Sequence, residues 1–202
     1  MANFWDSRFG GPEYVYGTEP NDLLREQASL LPLPGPILSL AEGEGRNAVF
    51  LASRGYRVTA MDSSAVGLGK ARLLAAARGV EIETVHADLA DFDLGIERWG
   101  GVVSIWCHLP SVLRADVHAR IRRSMKPGGV FLLEHYHPRQ IPYNTGGPKD
   151  PDLLVTLDEL RAAFPGWVER HGFEGERVVH EGELHEGASF VTQWVAERPA
   201  GS

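Results

Sequence analysis

A single cysteine, Cys107, occurs in 202 residues, which excludes an internal disulfide and fits a reducing compartment. Basic residues are in the minority: 20 Lys and Arg stand against 27 Asp and Glu, a formal net charge of −7. That balance implies no basic face and excludes nucleic-acid binding through phosphate contacts as the main activity. No uninterrupted apolar stretch is long enough to span a bilayer, and the opening Met-Ala-Asn-Phe-Trp-Asp-Ser is no signal peptide. Internal repeats, low-complexity segments and a domain linker are also missing. The expectation is a cytoplasmic protein with one domain over residues 1–202 and no membrane or nucleic-acid partner, its oligomeric state left open between monomer and dimer.

Hydrophobic residues make up 43% of the chain, and their period switches repeatedly between strand-like runs and helix-like stripes. Runs at Pro36–Ala41, Arg57–Asp62, Glu81–His86, Gly100–Trp106 and Gly129–Glu134 predict five strands. Helical segments lie between them: Arg46–Ser53, Ala65–Arg78 behind a Ser63/Ser64 cap, and Arg114–Met125, where Val117, Ile121 and Met125 mark a core stripe. Such alternation predicts a parallel sheet with helices on both faces and right-handed crossovers. After Pro138 a loop precedes Thr156-Leu-Asp-Glu159, whose spacing is that of a capping box, and a short helix carrying Leu157, Leu160 and Phe164. Glu174–Glu181 and Ala188–Glu197 then read as a β-hairpin. The fold class expected is a doubly wound, mostly parallel seven-stranded α/β sheet closed by a C-terminal antiparallel hairpin. The first 20 residues, with Trp5, Tyr14 and Tyr16, are too aromatic for a disordered tail and are expected to pack over something.

Ser39–Phe50 reads SLAEGEGRNAVF, so Gly43 and Gly45 fall where the first strand turns into a helix. Missing side chains let a ligand lie against the backbone there, and a helix start offers free N–H groups. A tight turn alone is the competing reading. Asp62 ends the second strand 17 residues after Gly45 (62 − 45), where a carboxylate can accept both hydroxyls of a ribose. Gly43-Glu-Gly45-Arg-Asn-Ala48 also fits a G-x-G-x-x-A dinucleotide pattern, so these residues alone leave NAD open. Asp88, in His86-Ala-Asp88-Leu89, stands at the third strand end, where it could accept from an adenine amino group. Met125-Lys-Pro-Gly-Gly129 supplies a helix stop and a glycine turn before the fifth strand.

From LSLAEGEGRNAVFLA through VTAMDSS and HADLADF to MKPGGVFLLE, the chain resembles the class I S-adenosylmethionine-dependent methyltransferases. GEGRN, the WDSRF and YVYGTEPN opening and the YNTGGPKD loop are most similar to small bacterial methyltransferases of the tellurite-resistance and thiopurine type. The resemblance implies a Rossmann-like fold, S-adenosylmethionine as cofactor, and Glu42, Gly43, Gly45, Arg46, Asn47, Asp62, Ser63, Asp88 and Leu89 around it. Ser39 and Ala41 stand where the family usually has an acid and a first glycine, which leaves Glu42 as the carboxylate expected at the methionine ammonium. Gly100 and Gly101 replace the acid common at the start of the fourth strand.

A sulfonium methyl is already activated, so the protein mainly aligns a nucleophile with it and excludes water. The acceptor expected is a small molecule, a thiol or an anionic chalcogen or oxyanion. Other readings are a non-catalytic S-adenosylmethionine-binding protein and an NAD-linked oxidoreductase. Candidate catalytic residues are His108, His135 and Tyr143. Trp5, Tyr16, His108, Tyr143 and Asn144 are the candidate lid and substrate contacts, within a lid segment at residues 1–20 and a substrate-side loop at residues 138–155. His135 and His137, two apart on one strand with His108 nearby, invite a metal reading that lacks a third proven ligand, so no metal is expected. Cys107 is expected as a small buried side chain, and His171, His180 and His185 at the surface.

Overall fold

The structure, a computed structural model, describes residues 4–182 and 184–200. Residues 1–3 of the expected lid segment lie outside the described residues.

Seven strands form one sheet in the order β3-β2-β1-β4-β5-β7-β6. They are β1 (Ile37–Leu40), β2 (Val58–Asp62), β3 (Glu83–His86), β4 (Trp99–Ile105), β5 (Met125–Tyr136), β6 (Val168–His180) and β7 (Glu186–Glu197). β1 pairs in parallel with both β2 and β4, β2 with β3 and β4 with β5, while β7 runs antiparallel to β5 and β6. The five parallel strands and the closing hairpin are thus as the periodicity predicts. The strand order reverses between β1 and β4, the point at which an open α/β sheet leaves a crevice at its carboxyl edge.

Alternation along each strand sends side chains to two cores. Leu38, Leu40, Val102, Phe131, Leu133 and Trp194 pack against α5 (Ser111–Ser124) and α6 (Leu157–Ala163), where Val117, Ile121, Leu160 and Phe164 complete the layer. Ile37, Ala60, Val103, Ile105 and Leu132 face the other way, onto Leu23 and Leu24 of α2 (Asp22–Gln27), Ala48 and Leu51 of α3 (Arg46–Ser53), and Leu68 of α4 (Ala65–Ala77). Caps mark the helix starts: the Ser64 hydroxyl accepts from the Gly67 N–H at 3.0 Å, and Thr156 and Glu159 form the reciprocal capping box.

Three features depart from the sequence expectation. β5 begins at Met125 rather than Gly129, because Trp99 pairs with Met125 before the register shifts within β4. The hairpin strands start earlier, since β6 and β7 pair continuously from Val168 opposite Glu197 to His180 opposite Glu186, apart from one irregularity at Glu169/His171. Two short α-helices, the second followed by a 3-10 turn at Ala28–Leu30, also precede β1. The first, α1 (Phe4–Arg8), lies against α4: the Asp6 carboxylate accepts from the Ser64 hydroxyl at 2.6 Å and the Val66 N–H at 3.2 Å. Lys70 continues the clamp by donating to the carbonyls of Gly11 at 3.1 Å and Glu13 at 2.5 Å.

Gly45 is demanded by packing. Its φ is +95°, and a Cβ there would lie 2.6 Å from both Cα and Cβ of Ala71, so α3 and α4 approach through the missing side chain. Gly45→Ala adds left-handed strain to this overlap and is expected to destabilise the protein by about 2–4 kcal/mol. Urea unfolding would measure it; a loss below 1 kcal/mol would contradict the close approach.

Candidate active site

A cavity of about 590 Å³ opens outside the carboxyl ends of β1, β2, β3 and β4. Its lining includes Glu42, Gly43, Arg46, Asn47, Asp62, Ser63, Asp88, Leu89, Trp5, Tyr16 and His108. These are sequence candidates, and the fold brings them together although they are spread over more than half the chain. Gly45 does not line it. Gly43 does, but the space above its Cα is shared with the protein itself: a Cβ would meet the Phe9 ring at 3.1 Å. Both glycines therefore serve packing.

Each strand end contributes by local chemistry. Ala41, after β1, has φ +48°, the left-handed region where a glycine is the usual occupant. The neighbouring Glu42 carboxylate accepts from the N–H groups of Asn47 at 3.0 Å and Ala48 at 2.8 Å, and from the Ser39 hydroxyl. Glu42 thus caps α3, which limits what its oxygens have left for a ligand. Asp62, at the end of β2, accepts from Gly43 N–H at 2.8 Å and Ser64 N–H at 2.7 Å. The Ser63 N–H is a third donor to it, and a carboxylate offers about four lone-pair sites, so about one remains. Burial raises its pKa, opposed by those N–H donors. Asp88 is exposed, and it accepts from Ala90 N–H at 2.9 Å.

The far side of the cavity is aromatic. Trp106, just beyond β4, has φ +55° and stacks on Tyr136 with ring centroids 4.4 Å apart. His185 meets Trp106 edge-on at 5.1 Å and Tyr16 at 4.7 Å, and Tyr16 continues to Phe9 at 6.3 Å and Phe9 to Trp5 at 5.7 Å. Trp106 and Phe9 were not among the sequence candidates. The signal for Trp106 was its place at the exit of a predicted strand. His185 corrects an expectation: it is only 7% exposed and lines the cavity, because the hairpin turn carrying it folds back onto the N-terminal segment. His180 is exposed, as expected, and His171 half-buried.

Tyr143 and Asn144 also need correction, since neither lines the cavity. The Tyr143 hydroxyl donates to Glu176 instead, and Asn144 is exposed. Their loop reaches the cavity through Gly146, Gly147 and Pro148, whose glycines lie flat on the Tyr136 ring; a Cβ on Gly147 would sit 2.4 Å from it. His135 is buried outside the lining, its Nε2 3.3 Å from the Ser104 hydroxyl. His137 turns to Phe190 and Glu174 rather than to His108. Among the described residues, no three His, Cys, Asp or Glu side chains come together to hold a metal ion. Cys107 is buried, and burial pushes its thiol up to about 12, too high for a nucleophile at neutral pH.

Behind the aromatic wall lies a buried cluster of charges that sequence reasoning missed. Glu181 accepts from Arg46 at 2.5 Å, Trp106 Nε1 at 2.6 Å, Arg177 at 2.7 Å and Asn21 at 2.8 Å. Glu134 accepts from Arg177 at 2.6 Å, Asn21 at 2.7 Å and Gln193 at 3.1 Å. Burial pushes the Glu181 carboxyl up, but Arg46, the Trp106 hydrogen bond and Arg177 outweigh it and hold it at about 2.

Residues 37–129 match the family model described as "Methyltransferase domain". Residues 37–129 are thus a methyltransferase domain. It is 25% identical, over 81% of both chains, to a 2-heptyl-1-hydroxyquinolin-4(1H)-one methyltransferase of Mycobacteroides abscessus. Among solved structures, TehB from Haemophilus influenzae superposes with a TM-score of 0.72 at 16% identity, covering 96% of this chain and 66% of TehB. A protein solved in work on conversion of a disulfide bond into a thioacetal group during echinomycin biosynthesis gives a TM-score of 0.77 at 20% identity, covering 98% of this chain and 91% of that one. These two likenesses speak to the fold. S-adenosylmethionine is the cofactor of the methyltransferase domain, which sets the NAD reading aside. No helix of the described residues is long and apolar enough to cross a membrane.

Two outcomes follow from the buried charges at and behind the cavity. Burial raises the Glu42 pKa from 4.5 to about 7. The folded state therefore binds this proton more tightly, and the stability Glu42 contributes is complete below about pH 4.5 and lost as the pH rises through about 7. Glu42→Gln should gain on the wild type by on the order of 1–3 kcal/mol between pH 5 and pH 8 in urea unfolding; a constant difference would contradict it. Arg177→Ala leaves Glu134 and Glu181 with less compensation and should cost about 3–5 kcal/mol in the same assay. A loss under 1 kcal/mol would mean that the cluster is slack.

Proposed function

We propose that this chain transfers a methyl group from S-adenosylmethionine to a heteroatom on a small, planar aromatic acceptor. The observation that carries this reading is the division of the cavity: carboxylates and backbone groups at β1–β3, aromatic rings at β4 and beneath the N-terminal segment. Aromatic walls bury flat apolar ligands well. The sequence expectation of a thiol or anionic chalcogen narrows accordingly. A bare inorganic anion needs cations at the acceptor end, and of the lining arginines, Arg46 is committed to Glu181, leaving Arg8. A thiolate borne on an aromatic ring remains within the class. The Mycobacteroides abscessus relative acts on a hydroxyquinolinone, a planar acceptor of this kind.

Bound S-adenosylmethionine supplies a methyl group on a sulfonium sulfur, open to direct displacement. The residues around it do the rest. Asp62 has a lone pair left for a ribose hydroxyl, Asp88 stands at the edge for the adenine amino group, and Met61 and Leu89 give apolar surface. Trp106 and Tyr16 confine the acceptor, and α1 shields the opening from water, which favours in-line approach. A thiolate or other anionic nucleophile requires no general base.

Asp62→Asn should weaken S-adenosylhomocysteine binding by about 1.5–3 kcal/mol, read by titration calorimetry. An unchanged dissociation constant would remove Asp62 from the ribose role. Release of S-adenosylhomocysteine with planar hydroxyarenes and arenethiols, and not with selenite or tellurite, is the expected outcome of an acceptor screen; turnover confined to the oxyanions would overturn the acceptor class.

A further inference from the structure

Two arginines line the cavity, and they differ in what neutralises them. Arg46 is bonded to Glu181 at 2.5 Å, whereas Arg8 forms no hydrogen bond or ion pair among the described residues. The Arg8 guanidinium lies instead over the Phe4 ring, its Cζ 5.2 Å from the centroid, which covers one face of the planar fork and limits its freedom. A second open donor on the lining is the Tyr16 hydroxyl. The Tyr16 ring packs between Phe9 at 6.3 Å and His185 at 4.7 Å, but the hydroxyl meets no partner among the described residues. Both side chains are half-buried, and neither contributes to the closed polar atoms left without a partner, so both donors are reachable from the cavity. Burial raises the Tyr16 phenol above its usual pKa and Arg8 opposes the rise; the hydroxyl keeps its hydrogen at neutral pH and feels the guanidinium charge. Two such donors, one of them a permanent cation, match the oxygens of a carboxylate. The opposite half of the cavity carries Asp62 at the end of β2 and Asp88 just beyond β3. An anionic group is repelled there and drawn to Arg8, so the division of charge fixes which way round a ligand enters.

We propose that Arg8 and the Tyr16 hydroxyl form a carboxylate subsite on the cavity wall, selecting planar acceptors that carry an acidic substituent on the ring, apart from the heteroatom that is methylated. This rests on the methyltransferase reading and deepens it by adding a charge to the acceptor class. A single guanidinium suits one carboxylate on an organic frame and leaves a bare oxyanion undercompensated. With the carboxylate held between guanidinium and phenol, the flat ring lies along the aromatic side of the cavity and its methyl-accepting heteroatom is turned away from Arg8.

Titration calorimetry on the full chain saturated with S-adenosylhomocysteine tests recognition without turnover, with the cofactor product's own carboxylate already in place. The probes are 6-hydroxy-2-naphthoate, ionised at neutral pH, and its methyl ester, which keeps the ring and the hydroxyl but not the charge. Wild type should bind the acid about tenfold more tightly than the ester, the size of one charge-assisted pair at a partly screened site. Arg8→Gln should bring the two probes within about threefold of each other, Arg8→Lys should keep part of the preference, and Tyr16→Phe should reduce it by about threefold. Undiminished binding of the ester by Arg8→Gln shows that the lost preference is not misfolding. With S-adenosylhomocysteine bound normally, a wild type that shows no preference or binds neither probe, or an Arg8→Gln variant that keeps the preference, overturns the subsite alone. So does an Arg8→Gln variant weakened for S-adenosylhomocysteine but not for 5′-methylthioadenosine, because the guanidinium then serves the cofactor's carboxylate. Absence of S-adenosylhomocysteine binding by wild type overturns the methyltransferase reading and the subsite with it.

Discussion

The Glu181 carboxylate ties the two ends of the chain to the site. One side chain on the closing hairpin accepts from Asn21 before β1, from Arg46 at the start of α3, from Trp106 after β4 and from Arg177 on β6. Its burial is tolerable only because two arginines and two neutral donors surround it, and breaking such a set leaves a charge without compensation. The functional wall is built on this same carboxylate: Trp106 is fixed by its indole N–H to Glu181 and by its backbone N–H to the Glu134 carbonyl at 2.9 Å. The positive φ of Trp106 is held by these contacts, local strain kept at the cavity by the structure around it.

A second constraint is the N-terminal segment, which acts as the roof of the cavity without belonging to the sheet. Asp6 sits on the start of α4 and Lys70 holds the backbone of residues 11–13, while the Val15 N–H donates to Glu44 at 2.8 Å. The hairpin turn presses on it from the other side: a Cβ on Gly182 would lie 2.6 Å from the Cα of Tyr16. Roof, wall and turn thus form one packed unit, and His185 is carried into the cavity by it.

The sequence by itself determined the sheet, the helices that cross over between its parallel strands and the carboxylate-lined side of the cavity. Strand and helix periods depend on local alternation, so α3 runs from Arg46 to Ser53 as its pattern predicts, and the Thr156–Glu159 box caps α6. Glu42, Gly43, Asp62 and Asp88 were legible because strand ends in a parallel sheet all point to one edge, which makes position along the chain equivalent to position in space. Tertiary structure alone decided the aromatic side of the cavity. His185 and Trp106 meet only because a hairpin more than 70 residues further on folds back (185 − 106), and Tyr143 leaves the cavity because Glu176 on the neighbouring strand offers it a partner. Glu181 and Arg177 read as ordinary charges of an exposed hairpin until packing buries them. Such contacts join residues far apart in sequence, and no local period or motif records them; only the closed fold brings their charges and rings within reach of one another.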